Sequence, residues 1–86
     1  MEIIKRSGLP ETYKAEKITA AIKKAFESTE TSISDDELNK ITQTVENKIF
    51  ALEQPVQVEQ IQDLVEESLM QLGYFAQSKS YILYRN

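Results

Sequence analysis

Lys5 and Arg6 stand side by side where an aliphatic start, Ile3-Ile4, runs into the turn residues Ser7-Gly8. Paired cations beside a turn are suited to phosphate, because ammonium and guanidinium groups make charge-assisted hydrogen bonds to its oxygens. Lys14 and Lys17 follow on the far side of the predicted hairpin, where it enters a helix. The N-terminus of a helix also favours anions through its free N–H groups. Four cations and a helix end can therefore meet at one spot. Glu11 lies among them, as a cross-strand partner of Lys5 or Arg6.

The elements that must position these groups follow from periodicity. Glu2–Arg6 and Glu11–Lys14 read as two short strands around Ser7-Gly8-Leu9-Pro10. Strand alternation puts Ile3 with Lys5 on one face and Ile4 with Arg6 on the other, so one cation has to snorkel or meet an anion. Ile18, Ala21, Ile22, Ala25 and Phe26 form the apolar stripe of a first helix from Glu16 to about Ser28. Ser34 and Glu37 form a capping box for a second helix, whose stripe is Leu38, Ile41, Val45, Ile49 and Leu52. That helix is expected to end near Glu53-Gln54, ahead of Pro55. Pro55–Val58 reads as an edge strand. Glu59–Leu72 reads as a third helix with Ile61, Leu64, Val65, Leu69 and Leu72 inward and Gly73 at its C-terminal cap. Tyr74–Arg85 reads as a fourth helix, antiparallel to the third, although Tyr81–Tyr84 is apolar all round. The predicted fold class is α+β: a four-helix bundle capped by a small three-stranded sheet made of the N-terminal hairpin and one short strand.

Composition narrows the chemistry. The 86 residues, read as one domain over 1–86, include no cysteine and no histidine. Thiolate zinc sites, cysteine nucleophiles and histidine bases are thereby excluded. Two glycines cannot build a Walker-type phosphate loop. No catalytic residue and no metal ligand is assigned. The net charge of −4 divides into +3 over residues 1–24 and −7 over residues 25–86. A locally basic end on an acidic chain fits a small anion site rather than nucleic acid. No apolar run reaches the roughly 18 residues of a membrane span, and the N-terminal layout is not that of a signal peptide. The expected location is the cytoplasm.

Across these residues the sequence resembles an ATP-cone. The resemblance is carried at the start by Ile3-Ile4-Lys5-Arg6-Ser7-Gly8, Glu11, Lys17-Ile18 and Ala21–Ala25. At the end it is carried by Val56–Glu66, Leu69-Met70 and Tyr81–Arg85. It spans nearly the whole chain, and the ordered set is specific where no single piece is. ATP-cones are small allosteric modules of ribonucleotide reductases, and they occur also in zinc-ribbon repressors of reductase genes. The resemblance implies the capped four-helix bundle, with ATP or dATP, with or without Mg2+, bound between sheet and helices. It implies a partner as well, either the catalytic body of a reductase or a second copy of the chain, with dATP acting through oligomeric state.

Carried over by position, Lys5, Arg6 and Lys17 would contact phosphates, and Glu11 the adenine amino group. Ile3 and Ile18 would wall the base. Val58 and Gln62 lie in the segment lining the sugar and phosphate end, where the family often has threonine and histidine. Ser7 stands where aspartate usually follows Lys-Arg, and both can bond backbone in a turn. A regulatory module without its own catalysis is the favoured reading. The alternatives are the effector domain of a zinc-ribbon repressor, for which no cysteines are present, and a helical interaction domain without ligand.

Overall fold

A computed structural model describes residues 1–85. Three short strands and four helices follow in the order β1 (Glu2–Ile4), β2 (Pro10–Thr12), α1 (Ala15–Ser28), α2 (Asp35–Ile49), β3 (Val56–Gln57), α3 (Val58–Gln71) and α4 (Phe75–Tyr84). The strand order is β2-β1-β3. β1 pairs antiparallel with β2, opposing Ile3 to Glu11, and parallel with β3, opposing Ile3 to Val56. Directly opposed residues point to the same face of a sheet. Ile3 and Val56 are buried, so Glu11 belongs to the bundle-facing side and stands at its rim. The fold is the α+β capped bundle expected from the pattern.

The hairpin strands are shorter than the spacing predicts, because the turn begins at Lys5. The Gly8 N–H donates to the Lys5 carbonyl at 2.9 Å, and the Lys5 N–H donates to the Leu9 carbonyl at 2.9 Å. Gly8 has a φ of 88°, a left-handed conformation that glycine adopts without strain. Strand alternation therefore stops before the cations, and Lys5 and Arg6 are both exposed.

The helix stripes behave as periodicity requires. Ile18, Ile22, Ala25 and Phe26 of α1 are buried, as are Leu38, Ile41, Val45 and Ile49 of α2 and Ile61, Val65 and Leu69 of α3. The Ser34 hydroxyl accepts the Glu37 N–H at 3.1 Å and caps α2. The Glu37 carboxylate does not close the expected box; it accepts from the Tyr74 hydroxyl at 3.2 Å. α2 stops at Ile49, earlier than Pro55 alone dictates. Leu52 donates its N–H to the Ile49 carbonyl in a turn and packs its side chain, half-buried, against the core. α3 begins at Val58, one residue before the expected start, after Gln60 Oε1 accepts the Gln57 N–H at 2.8 Å. Gly73, at φ 88°, lets the Tyr74 N–H reach the Leu69 carbonyl and reverses the chain into α4. Among the described residues no helix is long and apolar enough to cross a membrane.

Candidate functional site

A cleft of about 140 Å³ opens between the sheet and the helices. Ile3 and Glu11 reach it from the sheet, and Lys14, Lys17, Ile18 and Ala21 from the start of α1. Val58, Ile61, Gln62 and Val65 reach it from α3, Tyr81 from α4, and Thr12 and Tyr13 from the segment leading into α1. Seven of the nine residues singled out in the sequence thus line one cavity. The other two, Lys5 and Arg6, line an adjoining recess of about 230 Å³ with Ile4, Gly8, Gln57 and Glu59, and Val58 borders both spaces. The four cations therefore stand two and two, on either side of Val58.

The cavity walls are mostly aliphatic, and its polar groups gather at the mouth. Lys17 Nζ donates to Glu11 Oε1 in an ion pair. Glu11 is held below the ordinary glutamate value of 4.5, chiefly by that hydrogen bond, with the charges of Lys17, Lys5 and Lys14 acting the same way. Glu11 therefore pairs with neither Lys5 nor Arg6. Arg6 extends instead to α3, where its Nη2 donates to Gln62 Oε1 at 2.9 Å and its Nε lies 3.4 Å from Glu59 Oε1. Gln62 Nε2 in turn donates to the Arg85 carbonyl at 3.2 Å. α1 starts at Ala15, and its N-cap residue Lys14 makes no side-chain cap, which leaves backbone donors near the two cleft lysines.

Several lining residues carried no assignment from sequence. Ala21 lies three residues after Ile18 on the same stripe, and its small side chain leaves space where a larger residue would close the cleft. Ile61 and Val65, spaced i, i+4 on α3, read only as core. Tyr81 lay in a run too uniformly apolar to show a facing side. It is half-buried, and burial pushes its phenol up to about 12. Tyr13 donates its hydroxyl to Glu46 Oε2 of α2 at 2.8 Å, which fixes the ring between cleft and bundle. Its phenol is raised by burial and by that carboxylate.

A wider groove of about 570 Å³ runs between α1 and α2, lined by residues such as Glu16, Thr19, Asn39 and Glu46. It is more open, and seven of its nine lining residues are polar or charged, with Lys23 the one cation among them. The smaller cleft is the better candidate, because an apolar interior with few polar groups marks ligand sites better than size does. Among the described residues no group of three or more His, Cys, Asp or Glu is placed to hold a metal ion.

A family model described as the ATP cone domain matches residues 1–86. The chain belongs to the ATP-cone family. It is 38% identical over 92 residues to the ribonucleoside-diphosphate reductase subunit alpha of Treponema pallidum, a match covering 100% of this chain and 11% of that protein. It is 35% identical over 95 residues to the corresponding subunit of Chlamydia muridarum, covering 99% of this chain and 9% of the relative. The anaerobic ribonucleoside-triphosphate reductase of Haemophilus influenzae is 37% identical over 86 residues, covering 98% and 12%. The chain thus spans about a tenth of the length of the curated relatives it matches.

The cone's Glu11–Lys17 pair has a consequence that titration detects. A carboxyl whose folded pKa is depressed adds stability above the ordinary carboxylate range and loses it as pH falls through the lowered pKa. The pair is exposed, so its effect on stability is small. Carboxyl-detected NMR is expected to place Glu11 below 4.5. In Lys17→Ala the value rises toward the ordinary one. An unchanged Glu11 titration in that variant would show that the ion pair does not form in solution.

Proposed function

We propose that this cone senses adenine nucleotides, ATP or dATP, and passes the state of its cleft to the catalytic body of a ribonucleotide reductase. The output is reductase activity or oligomeric state, and the cone itself does no catalysis. The observation that carries this reading is the placement of one carboxylate and two lysines at the mouth of an aliphatic cleft, beside a recess holding two further cations. About 140 Å³ is below the roughly 300–1,000 Å³ of a site that encloses a whole small molecule. The cleft suits the base alone, between Ile3 and Ile18, with the phosphates directed outward.

In this reading Glu11 accepts from the adenine amino group, and Lys17 leaves Glu11 for phosphate. Lys14 supports it, Lys5 and Arg6 take the far end of the tail, and Val58 lines the path between the two spaces. Gln62 acts through Arg6, because both ends of its amide are already engaged. Mg2+ is usually held through substrate phosphates rather than by a protein cage, so it would arrive on the triphosphate. The reductase partner is supported by the relatives, each of which is named as a reductase.

Isothermal titration with ATP, dATP and GTP, paired with a phosphate-release assay, tests the reading. ATP and dATP are expected to bind without sustained phosphate release, and GTP to bind more weakly. Absence of binding by both adenine nucleotides would overturn it. Phosphate release that requires Lys5 would overturn the non-catalytic part.

A further inference from the structure

α4 is packed with its polar side inward. Its buried residues are Gln77, Ser78 and Ser80, whereas Phe75 and Leu83 are 67% and 70% exposed, and Ile82 and Tyr84 also face outward. The inner face is held by hydrogen bonds. Gln77 Nε2 donates to Thr29 Oγ1 at 2.8 Å and Thr31 Oγ1 at 3.1 Å. The Ser80 and Ser28 hydroxyls bond one another, and Ser78 Oγ donates to the Glu66 carbonyl at 3.0 Å. The other three helices bury aliphatic or aromatic side chains in the common core. Hydrogen bonds between protein groups exchange for bonds to water at small net cost, whereas exposing core side chains costs in proportion to their area. The apolar residues on the outer face of α4 are already largely in solvent, Ile82 least so at 44% exposed, and therefore lose less cover than core residues do when the helix leaves. Of the four helices, α4 thus buries the least apolar surface of its own and is tied to its neighbours mainly by polar contacts.

Its apolar anchors stand at two points. Tyr74, just before the helix, meets Phe26 edge-on with ring centroids 5.1 Å apart. Tyr81 forms part of the cleft wall. Beyond Tyr81, the Arg85 guanidinium is bound to Asp63 and Glu66 of α3. The Arg85 carbonyl accepts from Gln62 at 3.2 Å and from Arg6 Nη2 at 3.5 Å. The far end of α4 is thus attached partly through Tyr81 and Gln62 of the cleft and Arg6 of the recess, and partly through Asp63 and Glu66 of α3, which line neither.

We infer that α4 opens from the bundle as a unit about Gly73-Tyr74, and that a base in the cleft closes it by packing against Tyr81. The opening stands on the polar seam; the closure rests on the nucleotide reading given above. α4 is then the element through which occupancy is reported to whatever the cone contacts.

Hydrogen exchange on the whole chain, read by mass spectrometry with and without saturating ATP, tests this. Without ATP, amides 79–84 are expected to exchange about tenfold or more faster than amides 19–26 of α1, as local openings require less than global unfolding. With ATP, the α4 amides slow relative to those of α1. Gln77→Leu replaces seam bonds with apolar contact and strands no partner, since Thr29 Oγ1 still donates to the Ala25 and Phe26 carbonyls and Thr31 Oγ1 to the Thr29 carbonyl. It is expected to slow α4 exchange several-fold. Ser80→Ala serves as the milder variant, because Ser28 keeps its bond to the Ala25 carbonyl. Equal exchange of α4 and α1 in the parent, or no slowing in either variant, overturns the opening. Calorimetry on the same samples separates the two claims. ATP that binds without changing α4 exchange overturns the closure and leaves the nucleotide reading intact. ATP that fails to bind overturns the nucleotide reading and the closure, and the nucleotide-free exchange then decides the opening alone.

Discussion

Arg6→Ala is expected to lower the affinity of the chain for ATP by about 10- to 100-fold, the effect of losing one or two charged hydrogen bonds, and Lys5→Ala is expected to act in the same direction. Both side chains are exposed at the turn, so the fold loses little. The Arg6 pair with Glu59 is a surface ion pair, and such pairs contribute at most about 1 kcal/mol. Arg6 is the more informative site, because its guanidinium is already held in place before any phosphate would bind. Gln62 and Glu59 hold the guanidinium beside the recess, which reduces the rotamer freedom lost on binding. Adenosine, which has no phosphates, is expected to bind the variants as it binds the parent. Titration calorimetry with ATP and adenosine at fixed ionic strength reads the difference. If both variants bind ATP like the parent, Lys5 and Arg6 are ordinary surface charges and the recess is not a phosphate site.

The core was legible because burial leaves a periodic mark. Ile18, Ile22 and Phe26, and likewise Leu38, Ile41, Val45 and Ile49, recur at helical spacing and are buried. Ends were less legible, because they depend on local hydrogen bonds that composition does not specify. α2 ends at Ile49 through a turn that tucks Leu52 against the core, although Leu52 continues the stripe. The hairpin ends at Ile4 because the turn takes up Lys5, and this removes the alternation that had set Lys5 and Arg6 on opposite faces.

The orientation of α4 could not be read from periodicity at all. A helix that buries Gln77, Ser78 and Ser80 violates the apolar-inward rule, and its reason lies in Ser28, Thr29 and Thr31 some fifty residues away. The cleft shows the same division. Its residues were nameable by their positions in a family pattern, but the Glu11–Lys17 pairing and the tie from Arg6 through Gln62 to the Arg85 carbonyl are three-dimensional facts.

In the proposed reading, base choice rests on the Glu11 carboxylate rather than on the cations. The cations cannot distinguish one nucleoside triphosphate from another, because all carry the same tail. In that reading selectivity comes from Glu11 and the wall formed by Ile3 and Ile18, all of which line the cleft. Glu11 stays ionised through the neutral range, since Lys17, Lys5 and Lys14 all lower its pKa, so it can only accept hydrogen bonds. In the proposed reading the adenine amino group would donate to it. The guanine oxo group would meet it lone pair against lone pair. An unpaired acceptor costs about 1–3 kcal/mol, and more when charged, so ATP is expected to exceed GTP in affinity by at least about tenfold. Glu11→Gln preserves shape and adds a donor, so it narrows the gap chiefly by admitting GTP. Glu11→Ala weakens ATP itself. Lys17→Ala leaves the Glu11 acceptor in place, so it is expected to lower affinity for ATP and GTP alike and keep their ratio. Equal binding of GTP and ATP by the parent, or a preference untouched by Glu11→Gln, would reduce Glu11 to the ion-pair partner of Lys17 and leave base selection to the shape of the aliphatic wall.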